Sequence, residues 1–225
     1  MDKQKLIVVI PVYNEADTIK NTIKGLKDIE LIDEILIVDD GSTDNTTSTI
    51  QQLGVPHIKI RQNRGKGYAM KLAISSIEYD YIAFIDGDLG STSSQVIKLI
   101  EPVIYGQADF TIAKFGTPKN KGGFGLVKTL ARIGVLAYTG VDIDTSLSGQ
   151  RVYKKEVIES IRYMPAHFGI EVAMTIQAIN SGYKFKEIPV DMVHSYSDRS
   201  LKGFRHRGEQ FLDIMKTLIY MGFKR

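Results

Sequence analysis

The sequence predicts an α/β protein built on a mostly parallel central sheet with helices on both faces, three layers in all. Three observations predict it. Short, continuous apolar runs at 6–12, 34–38 and 81–85 have the length of strands buried on both faces. The segments between them carry apolar residues at helical spacing. Each run ends in Asn, Asp, Gly or Ser, the residues of turns and helix starts. Strand–helix–strand repetition gives right-handed βαβ units, and such sheets bind ligands beyond the carboxyl ends of their strands.

The elements follow in order. After the first strand, Asn14 with Asp17 marks a helix start, and Ile19, Ile23 and Leu26 share one face. After the second, Ser42 with Asn45 marks another. Ala69, Leu72, Ala73 and Ile77 form the apolar face of a third helix. Ser91, followed by Ser94 and Gln95, opens a fourth after the third run. The second half is less regular. Residues 116–125 hold four glycines, one proline and two lysines, and read as a mobile loop. Segments 124–138, 152–161 and 169–180 read as helices. Segment 184–190 reads as a strand, and Pro189 puts it at an edge because proline cannot donate to a ladder. With no repeat, low-complexity tract or clean linker, 1–225 reads as a single domain.

Composition narrows the function classes. Of 225 residues, 43% are apolar and 24% charged, which is a globular balance. No run reaches the ~18 apolar residues of a membrane span, and the N-terminus has no signal-peptide pattern. Zero cysteines exclude disulfides, thiolate zinc sites and cysteine nucleophiles, and suit a cytoplasmic setting. The net charge is +3, but residues 199–225 alone carry seven Lys/Arg against two Asp/Glu. That basic end is either a solvated tail or the mark of an anionic partner. No zinc spacing, RNP-type aromatic motif or uniformly basic domain points to nucleic acid. No G-x-x-x-x-G-K-[ST] or G-x-G-x-x-G supports a P-loop enzyme or a dehydrogenase.

The strand ends at 13–15, 39–43 and 86–90 should line one crevice. Asp86 and Asp88 flank Gly87 there. Carboxylates so placed either hold a hard cation such as Mg²⁺ or Mn²⁺, which neutralises phosphate, or simply form a capped turn. Asp39 and Asp40 can accept hydrogen bonds from a nucleobase or ribose, or make a turn with Ser42. Pro11 restricts the backbone, and Tyr13 either lies against a base or packs. Arg64, Gly65, Lys66 and Gly67 precede a helix and suit a diphosphate.

Together, V-I-P-V-Y-N-E at 9–15, I-V-D-D-G-S-T-D at 37–44, N-R-G-K-G at 63–67 and I-D-G-D at 85–88 resemble the nucleotide-sugar-binding half of family 2 glycosyltransferases of the GT-A fold. The resemblance is nearest to the dolichyl- or polyprenyl-phosphate sugar transferase branch. It implies a Rossmann-like fold with a donor half at 1–110 and an acceptor half at 111–225. It implies that Pro11, Tyr13, Glu15 and Asp40 contact the nucleoside and that Lys66 lies near the diphosphate. Asp86, Gly87 and Asp88 would then work through Mg²⁺ or Mn²⁺, Asp88 most directly. S-G-Q-R at 148–151 resembles a segment bordering the reaction centre, which makes Arg151 a catalytic candidate. F-G-I-E at 168–171 resembles the opening of an acceptor-side helix. Glu171 is thus the candidate general base, unless it is only a first-turn acid favoured by the helix dipole. His194 is the candidate third metal ligand, unless it is structural.

Arg199, Lys202, Arg205, His206 and Arg207 are irregularly spaced, and Gly203 and Gly208 imply loops. A cationic loop can close on a diphosphate or a phosphorylated acceptor, which adds Arg199 and Arg207 to the donor contacts. Phe211, Met215, Leu218 and Met221 form a helical stripe that lies on anionic lipid or packs on its own domain or a twin subunit, giving a homodimer. The expected activity is metal-dependent transfer of a hexose from a nucleotide-diphosphate sugar, preferably a UDP-sugar, with inversion implied. The expected acceptor is a polyprenyl phosphate. The alternatives are a soluble phosphorylated acceptor, as in glucosyl-phosphoglycerate synthases, or a non-catalytic nucleotide-sugar-binding protein. The expected place is the cytoplasm or the inner face of the cell membrane.

Overall fold

The computed structural model describes residues 3–116, 125–193 and 201–223, with the backbone alone at 201–207. Seven strands form one sheet in the order β3-β2-β1-β4-β6-β5-β7. They are β1 Leu6–Val12, β2 Glu34–Asp39, β3 His57–Lys59, β4 Tyr81–Phe84, β5 Phe110–Phe115, β6 Arg151–Lys154 and β7 Phe185–Val190. All pairings are parallel except those of β6, which runs antiparallel to both β4 and β5.

The helices are α1 Ile19–Lys27, α2 Thr46–Gln52, α3 Lys66–Ser76, α4 Ile97–Ile104, α5 Leu126–Thr139, α6 Lys155–Ser160, α7 Ile170–Asn180 and α8 Leu201–Phe223. A 3₁₀ helix, Gly90–Val96, leads into α4. Among the described residues, no helix is long and apolar enough to cross a membrane.

Alternation along β1 divides the core. Leu6, Val8 and Ile10 pack with Ile23, Leu26, Leu99 and Val103 on one face. Ile7 and Val9 pack with Ala69, Ala73, Phe84 and Met174 on the other. A third cluster joins α5, α7 and α8 through Val135, Ile176 and Ile214. Both faces of the sheet are therefore covered, which is why its central strands read as unbroken apolar runs.

Three expectations are corrected. Segment 152–161 is not one helix: β6 and α6 divide it. Val152 and Tyr153 are enclosed between β4 and β5, and Lys154 pairs with Asp109 at 2.7 Å. The spacing of Tyr153, Val157, Ile158 and Ile161 suits a helix equally well, so periodicity alone missed the strand. Second, α8 runs helically through Gly203 and Gly208. A helical glycine costs only about 1 kcal/mol, less than the docking of the helix on α5 and α7 returns. Third, Asn14 does not cap α1. It has a left-handed φ of 58° and bridges two strand ends: its N–H donates to Ser42 Oγ (3.0 Å) and its side-chain oxygen accepts Thr43 N–H (2.8 Å).

The edge position of β7 and the extents of α5 and α7 agree with the sequence reading. The stripe Phe211, Met215, Leu218 and Met221 is half-buried, and Leu218 and Met221 pack on the third cluster, so it faces its own domain. Most of the glycine-rich segment, 117–124, lies outside the described residues, as do His194 and Arg199.

Candidate active site

The carboxyl ends of β1, β2 and β4 open on one rim. Register fixes this: Val12 lies opposite Asp39, and Val9 opposite Phe84. Pro11 closes β1 there, and Tyr13 emerges 44% exposed with its ring available to a ligand. Past β4 the chain turns at Gly87. A Cβ there would meet Val12 Cγ1 at 2.8 Å, so glycine brings this turn onto β1. Its carbonyl accepts Thr22 Oγ1 at 2.7 Å, which pins the turn to α1. Asp86 and Asp88 are half-buried on this turn.

Glu15 faces them. Burial pushes its carboxyl up to about 6, and the charges of Asp88 and Asp86 push the same way against a hydrogen bond from Thr18 at 2.8 Å. The rim therefore concentrates negative charge.

Asp40 is buried, and its two oxygens accept Arg64 N–H (2.9 Å) and Gly65 N–H (2.7 Å). Burial pushes its carboxyl up, and these two amides pull it back. Asp40 thus anchors the turn that starts α3. Arg64, on that turn, lies over the Tyr68 ring at 3.8 Å.

Lys66 is the first residue of α3. Its ammonium contacts Asp86 Oδ1 at 2.6 Å and Glu171 Oε1 at 3.0 Å. Burial alone would lower Lys66, but the two carboxylates outweigh it and hold the group charged, above its usual range. The second Asp86 oxygen accepts Gln150 Nε2 at 2.7 Å. Gly149 lies so close that a Cβ would stand 2.4 Å from Lys66 Nζ and 2.8 Å from Asp86 Oδ2. Gln150, Asp86, Lys66 and Glu171 therefore form one polar chain from the start of β6 to the first turn of α7.

Arg151, the candidate beside the reaction centre, is enclosed. It is 0% exposed. Its guanidinium donates to the carbonyls of Ser148 (2.6 Å), Ser146 (2.9 Å) and Glu171 (3.1 Å) and to Thr175 Oγ1 (2.6 Å). It fixes segment 146–148 and α7 from below and faces no open space.

Sequence reasoning missed segment 165–167. It packs on the start of α3, with Tyr68 N–H donating to the Ala166 carbonyl at 3.0 Å. A Cβ at Gly67 would stand 1.9 Å from the Pro165 carbonyl, and one at Gly65 2.3 Å from His167 Nδ1. The two glycines of N-R-G-K-G were the available signal, because they mark a close approach.

Among the described residues, no group of three His, Cys, Asp or Glu side chains is arranged to hold a metal. His194 and Arg199 lie outside the described residues, as does the side chain of Arg207.

The family model for glycosyl transferase family 2 matches residues 7–162. Glycosyltransferase AglJ of Haloferax volcanii is 27% identical over 219 residues, 93% of this chain and 70% of that protein. The UDP-N-acetylglucosamine–dolichyl-phosphate N-acetylglucosaminyltransferase of Methanococcus voltae is 27% identical over 184 residues, 71% of this chain and 73% of that protein. Among solved structures, glucosyl-3-phosphoglycerate synthase from Mycobacterium tuberculosis, in complex with Mn²⁺, UDP and phosphoglyceric acid, superimposes with a TM-score of 0.81. It shares 22% identity, and the match covers 96% of this chain and 78% of that one, which carries the GT-A fold expected from the sequence. With the matched region spanning the rim at β1, β2 and β4 and the polar chain into β6, the chain belongs to glycosyl transferase family 2, enzymes that draw on nucleotide-sugar donors.

Proposed function

We propose that the protein transfers a hexose from a UDP-sugar to the phosphate of a polyprenyl phosphate, with a divalent cation at the rim. One observation carries this reading: the ion-paired chain Asp86–Lys66–Glu171 joins the donor strand ends to α7, where an acceptor would enter. Asp86 and Asp88 fit a hard cation by their chemistry, since both offer carboxylate oxygens. The Glu15 carboxyl is pushed up first by burial and then by the charges of Asp88 and Asp86, which a cation would offset. Mg²⁺ or Mn²⁺ bound there supplies charge neutralisation to the departing diphosphate. His194 would complete its ligands.

The chain's own groups do the rest. Lys66 offers a permanently charged ammonium to the diphosphate beside Asp86. Tyr13 offers its ring to the base. Asp40 holds the turn at Arg64 and Gly65 so that α3 presents its N-terminus to phosphate oxygens. Arg199 and Arg207 would add cations as the site closes. A phosphate acceptor attacks the anomeric carbon as an anion and needs no general base; Glu171 then serves to hold Lys66. A hydroxyl acceptor would need its proton taken, and Glu171 is the nearest carboxylate on the acceptor side.

The name of one similar protein supports this reading: the relative from Methanococcus voltae is named for a UDP-sugar and dolichyl phosphate. The solved synthase in complex with UDP, Mn²⁺ and phosphoglyceric acid supports the second reading, a soluble phosphorylated acceptor. The test incubates the protein and Mn²⁺ with labelled UDP-glucose or UDP-N-acetylglucosamine, and with undecaprenyl phosphate or 3-phosphoglycerate. Label extracted into the organic phase is expected; label confined to a water-soluble product overturns the lipid reading. Thermal stabilisation by UDP with Mn²⁺, and not by GDP, identifies the nucleotide by linkage.

A further inference from the structure

We propose that Gln150 is a positioning residue: its side-chain amide sets the plane of the Asp86 carboxylate, on which the proposed cation and donor site depends. Gln150 is 0% exposed, and its Nε2 donates to Asp86 Oδ2 at 2.7 Å. An ionised carboxylate only accepts, so the amide must turn its NH₂ to Asp86 and its oxygen away. Ser148 Oγ lies on that far side, 3.4 Å from Gln150 Oε1.

An aspartate at a rim needs such a hold. Its terminal torsion is broad, so a carboxylate held at one oxygen still swings about its stem. Lys66 Nζ holds Oδ1 at 2.6 Å. The Gln150 contact at Oδ2 is a second point, and two points fix the plane. Of these two holders Gln150 is the steadier. Lys66 divides its ammonium between Asp86 and Glu171 on a flexible four-carbon stem, and in the proposed function it also serves the diphosphate. The Gln150 amide is neutral, so it orients Asp86 without cancelling the charge that draws a cation. Each carboxylate oxygen carries two lone pairs, so one that accepts a hydrogen bond can also face a metal.

The main chain gives Gln150 a rigid seat. Its carbonyl accepts Ala113 N–H of β5 at 3.0 Å. The next residue, Arg151, lies opposite Phe84 of β4 and Ile112 of β5, and its guanidinium holds the Ser148 carbonyl at 2.6 Å. On the other side Gly149 approaches Asp86 so closely that a Cβ would stand 2.8 Å from Oδ2. The amide is therefore delivered from the middle of the sheet and not from a loop tip. A buried side chain on a fixed backbone, bonded to a ligating group, is the arrangement by which proteins orient metal ligands.

Mn²⁺ is titrated into the full chain with UDP present, and the EPR signal of unbound Mn²⁺ gives its dissociation constant. Gln150→Met keeps the length of the side chain and lacks the donor. It should bind Mn²⁺ about 10–100-fold more weakly than the wild type at a temperature where both are folded, and UDP with Mn²⁺ should raise its melting temperature less. Gln150→Asn keeps the amide but falls one methylene short of Asp86. It should weaken Mn²⁺ binding in the same direction, and it carries the test if Gln150→Met melts early. A side chain that only filled the core would shift the melting temperature and leave the dissociation constant where it was. The proposal therefore falls if a folded variant holds Mn²⁺ as tightly as the wild type, whatever its melting temperature. A wild type that takes up no Mn²⁺ with UDP removes the proposed cation site and this role with it. Equal uptake by wild type and variants removes the role of Gln150 alone.

Discussion

Glu15 gives the pH dependence of this site its sign. Its carboxyl is raised from 4.5 to about 6 in the folded chain, so between those values the native state holds the extra proton. Stability from this group is present below about pH 4.5 and declines as pH rises through about 6, by about 2 kcal/mol in total. Glu15→Gln should therefore raise the melting temperature at pH 7 in metal-free buffer and flatten its slope between pH 4.5 and 6; an unchanged slope removes the assignment. Asp88→Asn removes charge with little change of volume. It should keep the fold and the melting temperature while losing at least about a hundredfold in Mn²⁺-dependent turnover. Arg151→Met should act oppositely. It leaves the carbonyls of Ser146 and Ser148 buried without their donor, and denaturant unfolding should show a loss of about 2–4 kcal/mol. Asp86, Asp88, Lys66 and Glu171 were legible in the sequence because their motifs stand next to strand or helix ends. The anchoring role of Asp40 was not, because its partners Arg64 and Gly65 come from another loop.

At the scale of elements, legibility followed unbroken apolar runs: β5, buried but interrupted by Thr111 and Lys114, was not read as a strand. The strands β1, β2 and β4 are covered on both faces, and their unbroken apolar runs stood out. The three residues of β3 are too few to show a period, and β6 shared its apolar spacing with the helix after it. The start of α3 depends on a contact that no local pattern carries, the seat of segment 165–167 against Gly65 and Gly67. Gly67→Ala tests that seat. The added methyl would meet the Pro165 carbonyl at 1.9 Å, a backbone atom that cannot rotate away. The variant should melt well below the wild type and lose stabilisation by UDP, whereas Gly54→Ala, with nothing within 4 Å but a left-handed φ of 62°, should lose only about 1 kcal/mol.

Across the whole molecule, the start of α3 and the first turn of α7 meet through the contact of Lys66 with Glu171 at 3.0 Å. Glu171→Gln keeps a hydrogen-bond acceptor there and removes the charge. With a phosphate acceptor, kcat should change less than about tenfold; with a hydroxyl acceptor it should fall about 10²–10⁴-fold. The comparison across acceptors thus reports which nucleophile the enzyme uses.

The direction of β6 has a consequence for how such a protein can diversify. Against the grain of its neighbours, it offers the catalytic rim its beginning instead of its end, so Phe84 sits opposite Arg151 and the approach through Gly149 and Gln150 arrives beside Asp86. Chain encoded long after the nucleotide cradle is thereby delivered to it directly. Evolution can rewrite that late passage, and with it the proposed acceptor side, without disturbing the early strands that carry the residues proposed to hold the donor.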